Sequence, residues 1–456
     1  MLPNSDSQST GRSPQWYGCL FCLLFAATFL NYSQRFVFTQ NTTKIQEEFV
    51  AAPSSEADNS ADGAPEEGDS EEGDSDEGHP PVTSNRAYRE AASRFSLGFA
   101  FGSLFFGIIS DIVSIRLLYP LVVVVWSLAG IASGMVESVA GLAMSRFVLG
   151  LFEAGHWPCA LRTTQRSFLP ANRTAANSIL QSGASIGAVV TPLLVLAFHL
   201  WNPSQWRLTF FVVGGLGIPW AIAWLMLVRE SDLRRPVIQT DESIDGAGKP
   251  EELAEIPLWR IFLTRRWWIL LFAVLCINTV WQFIRVWMVD WLENDHGYSH
   301  EFTNKFTAAY YACTFFGALA SGGLISWLTR RGWNVHRARM TTFLGMALMT
   351  AVIIPLAFLP KGPLLLGGLL VVAFGSLGLF PVYYSLNQEI SAKHQGKVGG
   401  SLGFTTWFTL SYFHTWVGEL LDKSPDARAA VFCCVGIAPL IAYFVIQSFW
   451  GRRPKA

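Results

Sequence analysis

Two ionisable residues interrupt an apolar run in the stretch RFVLGLFEAG, from Arg146 to Gly155: Arg146 itself and Glu153, seven positions on. On a helix that spacing is close to two turns, so both side chains leave the same face about 10 Å apart along the axis. A charge at mid-bilayer costs roughly 3 kcal/mol on insertion scales, so such residues turn toward protein or a watery cavity. A third charge, Arg35, closes the polar cluster NYSQR (Asn31 to Arg35) inside the first apolar run. An arginine offers a planar, bidentate grip on a carboxylate, while Asn31, Tyr32 and Gln34 offer amide and hydroxyl groups for a hydroxylated body. Glu153 adds a group whose charge responds in opposite senses to burial and to a neighbouring arginine, as coupling a proton to an anion requires. Gln282 and Arg285, about one turn apart in a later run, are candidates to line the same site from the second half of the chain.

Plainer readings stand beside these. A structural ion pair accounts for Arg146 and Glu153 as well. Arg35 lies near one end of its helix, where it is also placed to snorkel to headgroups. Gln282 and Arg285, followed by Asp290 and Glu293, also read as an outer charge cluster. His414 reads as a hydrogen-bonded core histidine, Gly183 and Gly187 as a helix-packing pair, and Pro158, Pro192 and Pro219 as kinks.

The composition suits a bilayer. Of 456 residues 51% are hydrophobic, with 18 Trp and 34 Phe, and the mean hydropathy is +0.32. Soluble enzymes rarely look like this. The net charge of −1 conceals an asymmetry: residues 51–85 hold 11 acidic residues and no Lys or Arg, so elsewhere 33 basic residues face 23 acidic ones. That acidic stretch buries too little to fold and is expected to be a disordered loop, a solvated spacer or else an outer cation-binding or partner-binding tail. The seven cysteines form no metal or disulfide spacing and are expected to be small buried hydrophobes.

The elements that must position the charged residues are apolar runs of spanning length. The first, Trp16 to Phe38, is too long for a signal-peptide core and is taken as a retained helix. Others follow at about 95–110, 117–136, 139–161, 176–200 and 208–228, and, beyond a polar linker at 229–262, at 267–292, 306–328, 340–359, 363–385, 399–420 and 429–449. The fold expected is an all-α membrane protein of twelve transmembrane helices in two pseudo-symmetric six-helix bundles, residues 1–228 and 263–456. With both termini cytoplasmic, 21 Lys and Arg fall on inner segments, 8 on outer ones and 4 within spans. That bias sets the orientation and puts the acidic loop outside. An internal repeat supports the division: GIISD (Gly107 to Asp111, followed by Arg116) matches GGLIS (Gly322 to Ser326, followed by Arg330 and Arg331) after the second and eighth runs. Asp111 and Arg116 are expected to form a cytoplasmic gate that pairs charge with helix ends, weaker in the second copy because Ser326 replaces the acid.

On these residues the chain resembles the major facilitator superfamily. NYSQR, RFVLGLFEAGHWP and QSGASIGAVVTP (Gln181 to Pro192) resemble its anion:cation symporter branch, which includes hexuronate, galactonate and glucarate transporters. The resemblance implies that Arg35 holds the substrate carboxylate, with Tyr32 in the same signature, that Arg146 matches the fourth-span arginine, and that Glu153 is the protonatable acid. The chain departs from the pattern at Gln34, where many members carry an acid. It departs again at Phe99, Trp407 and His414, where a tyrosine, an Asn and a Pro are expected.

The function expected is proton-coupled symport of an organic anion, a sugar acid such as a hexuronate or aldonate, by alternating access. It would act as a monomer in the inner (plasma) membrane, with lipid around it, no nucleic-acid partner and no cofactor beyond the proton gradient. An antiporter or facilitator of sugar phosphates or other carboxylates is the alternative within transport, and a non-transporting ligand sensor the alternative outside it. Nothing resembles a nucleophile constellation, a nucleotide loop or a metal-ligand set, so no enzyme is expected.

Overall fold

The computed structural model describes residues 12–42, 84–202, 205–233, 258–391, 393–423 and 427–450, with isolated positions at 44, 45 and 48. The acidic stretch up to residue 83, the linker at 234–257 and the side chain of His414 lie outside the described residues. Twelve helical rods run through the described residues. The first six are Pro14–Gln40, Ser84–Ile112, Ile115–Ser133, Val139–Glu153 continued by His156–Ser167, Pro170–Trp201, and Leu208–Gly215 continued by Gly217–Leu227. The second six are Arg265–Asp290, His300–Arg330, Val335–Ala351 continued by Ile353–Leu356, Pro363–Gly378 continued by Phe380–Asn387, Gln395–Lys423 and Ala427–Phe449. Ten are individually long and apolar enough to cross a bilayer. The chain is therefore a multi-pass integral membrane protein, and its rods are called spans here, one to twelve.

Helix starts follow local chemistry. Ser13, Ser138 and Ser299 each accept a bond from a backbone N–H three residues on, so one otherwise orphaned donor at each start is satisfied. Proline opens the first, fifth and tenth spans, where its missing N–H costs nothing. Breaks also follow proline, which removes a donor and crowds the carbonyl four residues back. The fourth span divides at Ala154 and Gly155, just before Pro158, and the sixth at Leu216, before Pro219. The ninth and tenth divide at Val352 and Leu379, ahead of Pro355 and Pro381. Pro192, expected to kink in the same way, lies within one continuous helix.

The two halves meet along two seams, span two against span eleven and span five against span eight. The first seam needs glycine: a Cβ on Gly107 would come within 2.6 Å of the Gly396 carbonyl and 2.7 Å of Gly400 Cα. Gly183 and Gly187 pack on the backbone of the first span, the helix-packing role expected of them. Lipid-side positions carry large exposed apolar residues such as Phe105, Leu121, Met144 and Leu196. Cys159 and Cys276 are buried, but Cys19, Cys22 and Cys434 are exposed on the first and last spans, so the expectation that the cysteines are buried holds only in part. Apolar surroundings there are lipid rather than protein.

Candidate functional site

Arg35 and Glu153 meet in the first half of the molecule. Arg35 Nε donates to Glu153 Oε1 at 2.7 Å, and Arg35 Nη2 to Asn31 Oδ1 at 3.1 Å. Asn31 Nδ2 in turn donates to the Glu153 carbonyl at 3.1 Å, so one amide holds both members of the pair. Glu153 is 0% exposed, and its second oxygen, Oε2, is buried with no hydrogen-bond partner. The position owes much to the break in span four: Glu153 is the last residue of the first segment, where the helix loosens. Immediately beyond, His156 is fixed through both ring nitrogens, to Thr28 Oγ1 at 3.1 Å and the Tyr119 hydroxyl at 2.8 Å. This ties spans one, three and four together behind the ion pair.

The Arg35 guanidinium also lies over aromatic faces, 4.5 Å from the Phe99 ring centre, 5.0 Å from Tyr32 and 5.7 Å from Trp407. Arg35 and these three rings border a cavity of about 100 Å³ between the halves. Trp157, Trp281 and Tyr384 add further aromatic wall, and Gln282 and Asn387 add amides from the second half. A single cation, aromatic faces and neutral amides can hold a small anion with a partly apolar body.

Toward the end of the molecule where span six ends and span seven begins, polar contacts join the two halves beyond the cavity. Asp111 accepts from the backbone N–H groups of Gly396 and Lys397, both at 2.9 Å, at the start of span eleven, and pairs with Arg162 from span four. A carboxylate at a helix N-terminus is favoured by the unpaired donors and the helix dipole. Gln165 Nε2 donates to the Gln388 carbonyl at 2.9 Å. Thr174 and Ser385 share a bond of 2.7 Å. Arg339, buried, reaches from the second half to Thr174 Oγ1 at 3.2 Å and the Pro170 carbonyl at 2.7 Å, and pairs with Glu389.

The structure places the other expected residues less uniformly. Gln34 turns from the cavity and packs on Gly130 of span three. Arg146, 3% exposed, stacks over Phe38 at 4.2 Å and Phe95 at 4.6 Å and does not line the cavity. The geometry of span four explains this: Glu153 faces span one, while Arg146, two turns away, meets the aromatic rings of spans one and two. Gln282 lines the cavity; Arg285, half-buried, does not, although it lies near enough to Tyr32 and Tyr311 to act on both electrostatically. Asp111 and Arg116 were expected to set charge against helix ends; the cation beside Asp111 is Arg162. Arg116 instead donates to the Val228 carbonyl at 2.9 Å, at the end of span six. Both residues serve helix ends, but different ones. In the second copy Ser326 bonds back to the Gly322 carbonyl at 2.8 Å, and the ion pair on that side is Arg339 with Glu389. Asn387, Trp157 and Arg162 were not singled out as site residues. An amide near the end of an apolar run was the available signal for Asn387.

Comparison with known proteins agrees with this architecture. The D-galactonate transporter of Escherichia coli O6:H1 is 25% identical over 311 residues, covering 64% of this chain and 71% of its own. The hexuronate transporter of Escherichia coli K12 is 21% identical over 381 residues, covering 81% and 87%. Among solved structures, the proton:xylose symporter XylE bound to 6-bromo-6-deoxy-D-glucose superposes with a TM-score of 0.69 at 12% identity, covering 96% of this chain and 97% of that one. A family profile described as Major Facilitator Superfamily matches residues 24–413. Built of two six-helix bundles around a central cavity, and related to sugar acid transporters rather than to enzymes, the chain belongs to the Major Facilitator Superfamily.

Proposed function

We propose that the protein is a secondary active carrier that moves a small organic anion together with a proton by alternating access, and that the anion is a sugar acid. The observation that carries this reading is the Arg35–Glu153 pair at the edge of the cavity, with Glu153 Oε2 buried and unpartnered. An incoming carboxylate and Glu153 compete for one guanidinium. When the anion takes Arg35, Glu153 loses its contact cation in a buried setting and keeps only the more distant Arg146, and taking up a proton removes the penalty of a poorly compensated buried charge. Protonation and anion binding thus favour each other, and the coupling is reciprocal. The loaded, charge-compensated site is then free to cross to the other face as the seal of Asp111, Gln165 and Arg339 opens. The sealed face is read as cytoplasmic, with both termini on that side and the acidic stretch outside.

Relatives that carry galactonate and hexuronate support a sugar acid, and the aromatic walls suit sugar C–H faces. The test is uptake into proteoliposomes under an imposed proton gradient, inside alkaline. Glu153→Gln is expected to keep exchange of internal for external substrate and to lose accumulation driven by the gradient. Accumulation intact in that variant would remove Glu153 as the proton carrier. Uptake indifferent to the gradient but dependent on internal anion would replace symport with exchange.

A further inference from the structure

The internal repeat produces two turns that face different ways. In the first, between spans two and three, Asp111 accepts from Gly396 and Lys397 and pairs with Arg162, while Arg116 donates to the Val228 carbonyl, so these charges are engaged within the protein. The matching turn runs from Arg330 at the end of span eight to Val335 at the start of span nine. Gly332 bends it with a φ of 84°, a left-handed conformation that glycine adopts at little cost. Asn334 caps span nine by accepting from the His336 N–H at 2.9 Å. On either side of the turn a guanidinium lies over an indole: Arg331 is 4.2 Å from the Trp327 ring centre, and Arg337 is 4.7 Å from that of Trp333. All four residues are exposed, Trp327 by 49% and Trp333 by 36%.

Among the described residues no carboxylate answers these two cations. The sequence holds no Asp or Glu between Glu301 and Glu389. Glu389, whose charge reaches His336 in this turn, pairs with Arg339. Neither Arg331 nor Arg337 donates to a protein acceptor among the described residues. A guanidinium held over a ring keeps N–H donors for a phosphate, which it can grip with two parallel bonds. Exposed tryptophans at the end of a span sit at headgroup level. Arg339, two residues past Arg337, reaches the Pro170 carbonyl at 2.7 Å, so the turn lies at the end where polar contacts join the halves. That end is read above as cytoplasmic, the side on which anionic lipid gives the bilayer a negative surface.

We propose that the turn between spans eight and nine is a binding site for an anionic phospholipid, whose phosphate is held by Arg331 and Arg337 while Trp327 and Trp333 lie against its glycerol and upper acyl region. A zwitterionic lipid offers the same phosphate but brings a cation of its own, which the two arginines repel. The first-half turn has no such pair to offer, because Arg116 is bonded to a carbonyl and Asp111 stands beside it in sequence. This site lies apart from the cavity and does not depend on which solute the carrier moves.

The test is lipid binding by the purified full chain in detergent, read by native mass spectrometry as phosphatidylglycerol or phosphatidylcholine with matched acyl chains is added. Phosphatidylglycerol is expected to bind at least about tenfold more tightly, and to lose that lead as salt is raised. Equal binding of the two lipids, or a lead indifferent to salt, overturns the proposal. Arg331→Gln combined with Arg337→Gln is expected to remove most of the lead. Arg229→Gln combined with Arg260→Gln takes two other exposed arginines from the same end and is expected to keep it. An equal loss in both double variants would make the attraction a diffuse property of that end and overturn the site. Displacement of the lipid by an equal concentration of sn-glycerol 3-phosphate would assign the arginines to a soluble anion and overturn the membrane reading. The comparison of lipids on the unmutated chain decides the charge preference whether or not the variants fold, and none of these outcomes depends on uptake.

Discussion

Gln388 and Thr164 meet across the seam between the halves: the Gln388 amide nitrogen donates to Thr164 Oγ1 at 2.7 Å. The same nitrogen reaches the Leu161 carbonyl at 2.7 Å, and its oxygen accepts from Asn177 Nδ2 at 3.1 Å. One buried amide from the second half thus satisfies groups on spans four and five of the first. Such a network is costly to leave half-made, so it opens as a unit or not at all.

On the alternating-access reading proposed above, Gln388→Leu removes bonds made only while this face is closed. The variant is expected to shift the balance toward the opposite opening by about 1–3 kcal/mol, roughly a 5- to 150-fold change in the ratio of the two states. Labelling of a cysteine introduced beside Gln388 would rise accordingly. Labelling at the unmutated level would show that the seal depends on the ion pairs alone.

Asp111 and Arg116, grouped together in the sequence, separate in consequence. Asp111→Asn loses the charge that faces Arg162 and the start of span eleven, and is expected to slow transport strongly by loosening the closed state. Arg116→Ala loses a cap on the end of span six, and is expected to cost about 1 kcal/mol of stability with transport nearly unchanged. Rates and unfolding midpoints measured side by side check this; equal loss of transport in both would mean that the two residues act as one gate.

Arg35→Lys keeps a positive charge but not the fork that serves Glu153 and Asn31 at once. Substrate affinity is expected to fall by at least about tenfold, because a point charge cannot hold the acid, the amide and a ligand in one plane. Calorimetric or spectroscopic binding to the purified variant reads this directly. Normal affinity would mean that the guanidinium geometry is irrelevant to the anion.

Gly150→Ala tests the close contact of spans two and four. A Cβ there would run into the backbone of Phe95, whose ring covers both Arg35 and Arg146. The expected cost is about 1–3 kcal/mol of stability, with a displaced Arg35 and weakened binding. An unfolding midpoint equal to that of the unmutated protein would show that the two helices can part without penalty.

The residues by themselves determined the class of molecule. Twelve apolar runs of spanning length, with charges confined to a few places, leave few solutions other than a helical bundle around a polar interior, because unpaired backbone and stray charge are both penalised in lipid. The same logic marked Arg35 and Glu153, since burying a charge within a span is too costly to be incidental. Spacing could not say which charges share a cavity. Arg146 and Glu153 lie on one face of one helix, yet only Glu153 meets Arg35, because two turns along the axis set them at different depths and Arg146 packs instead over Phe38 and Phe95. Gln34 neighbours Arg35 in the chain but turns to Gly130, since adjacent helical residues point about 100° apart. Asn387 and Arg162 enter the cavity and the seal through packing between spans far apart in sequence, a relationship that no local pattern encodes and only the assembled bundle decides.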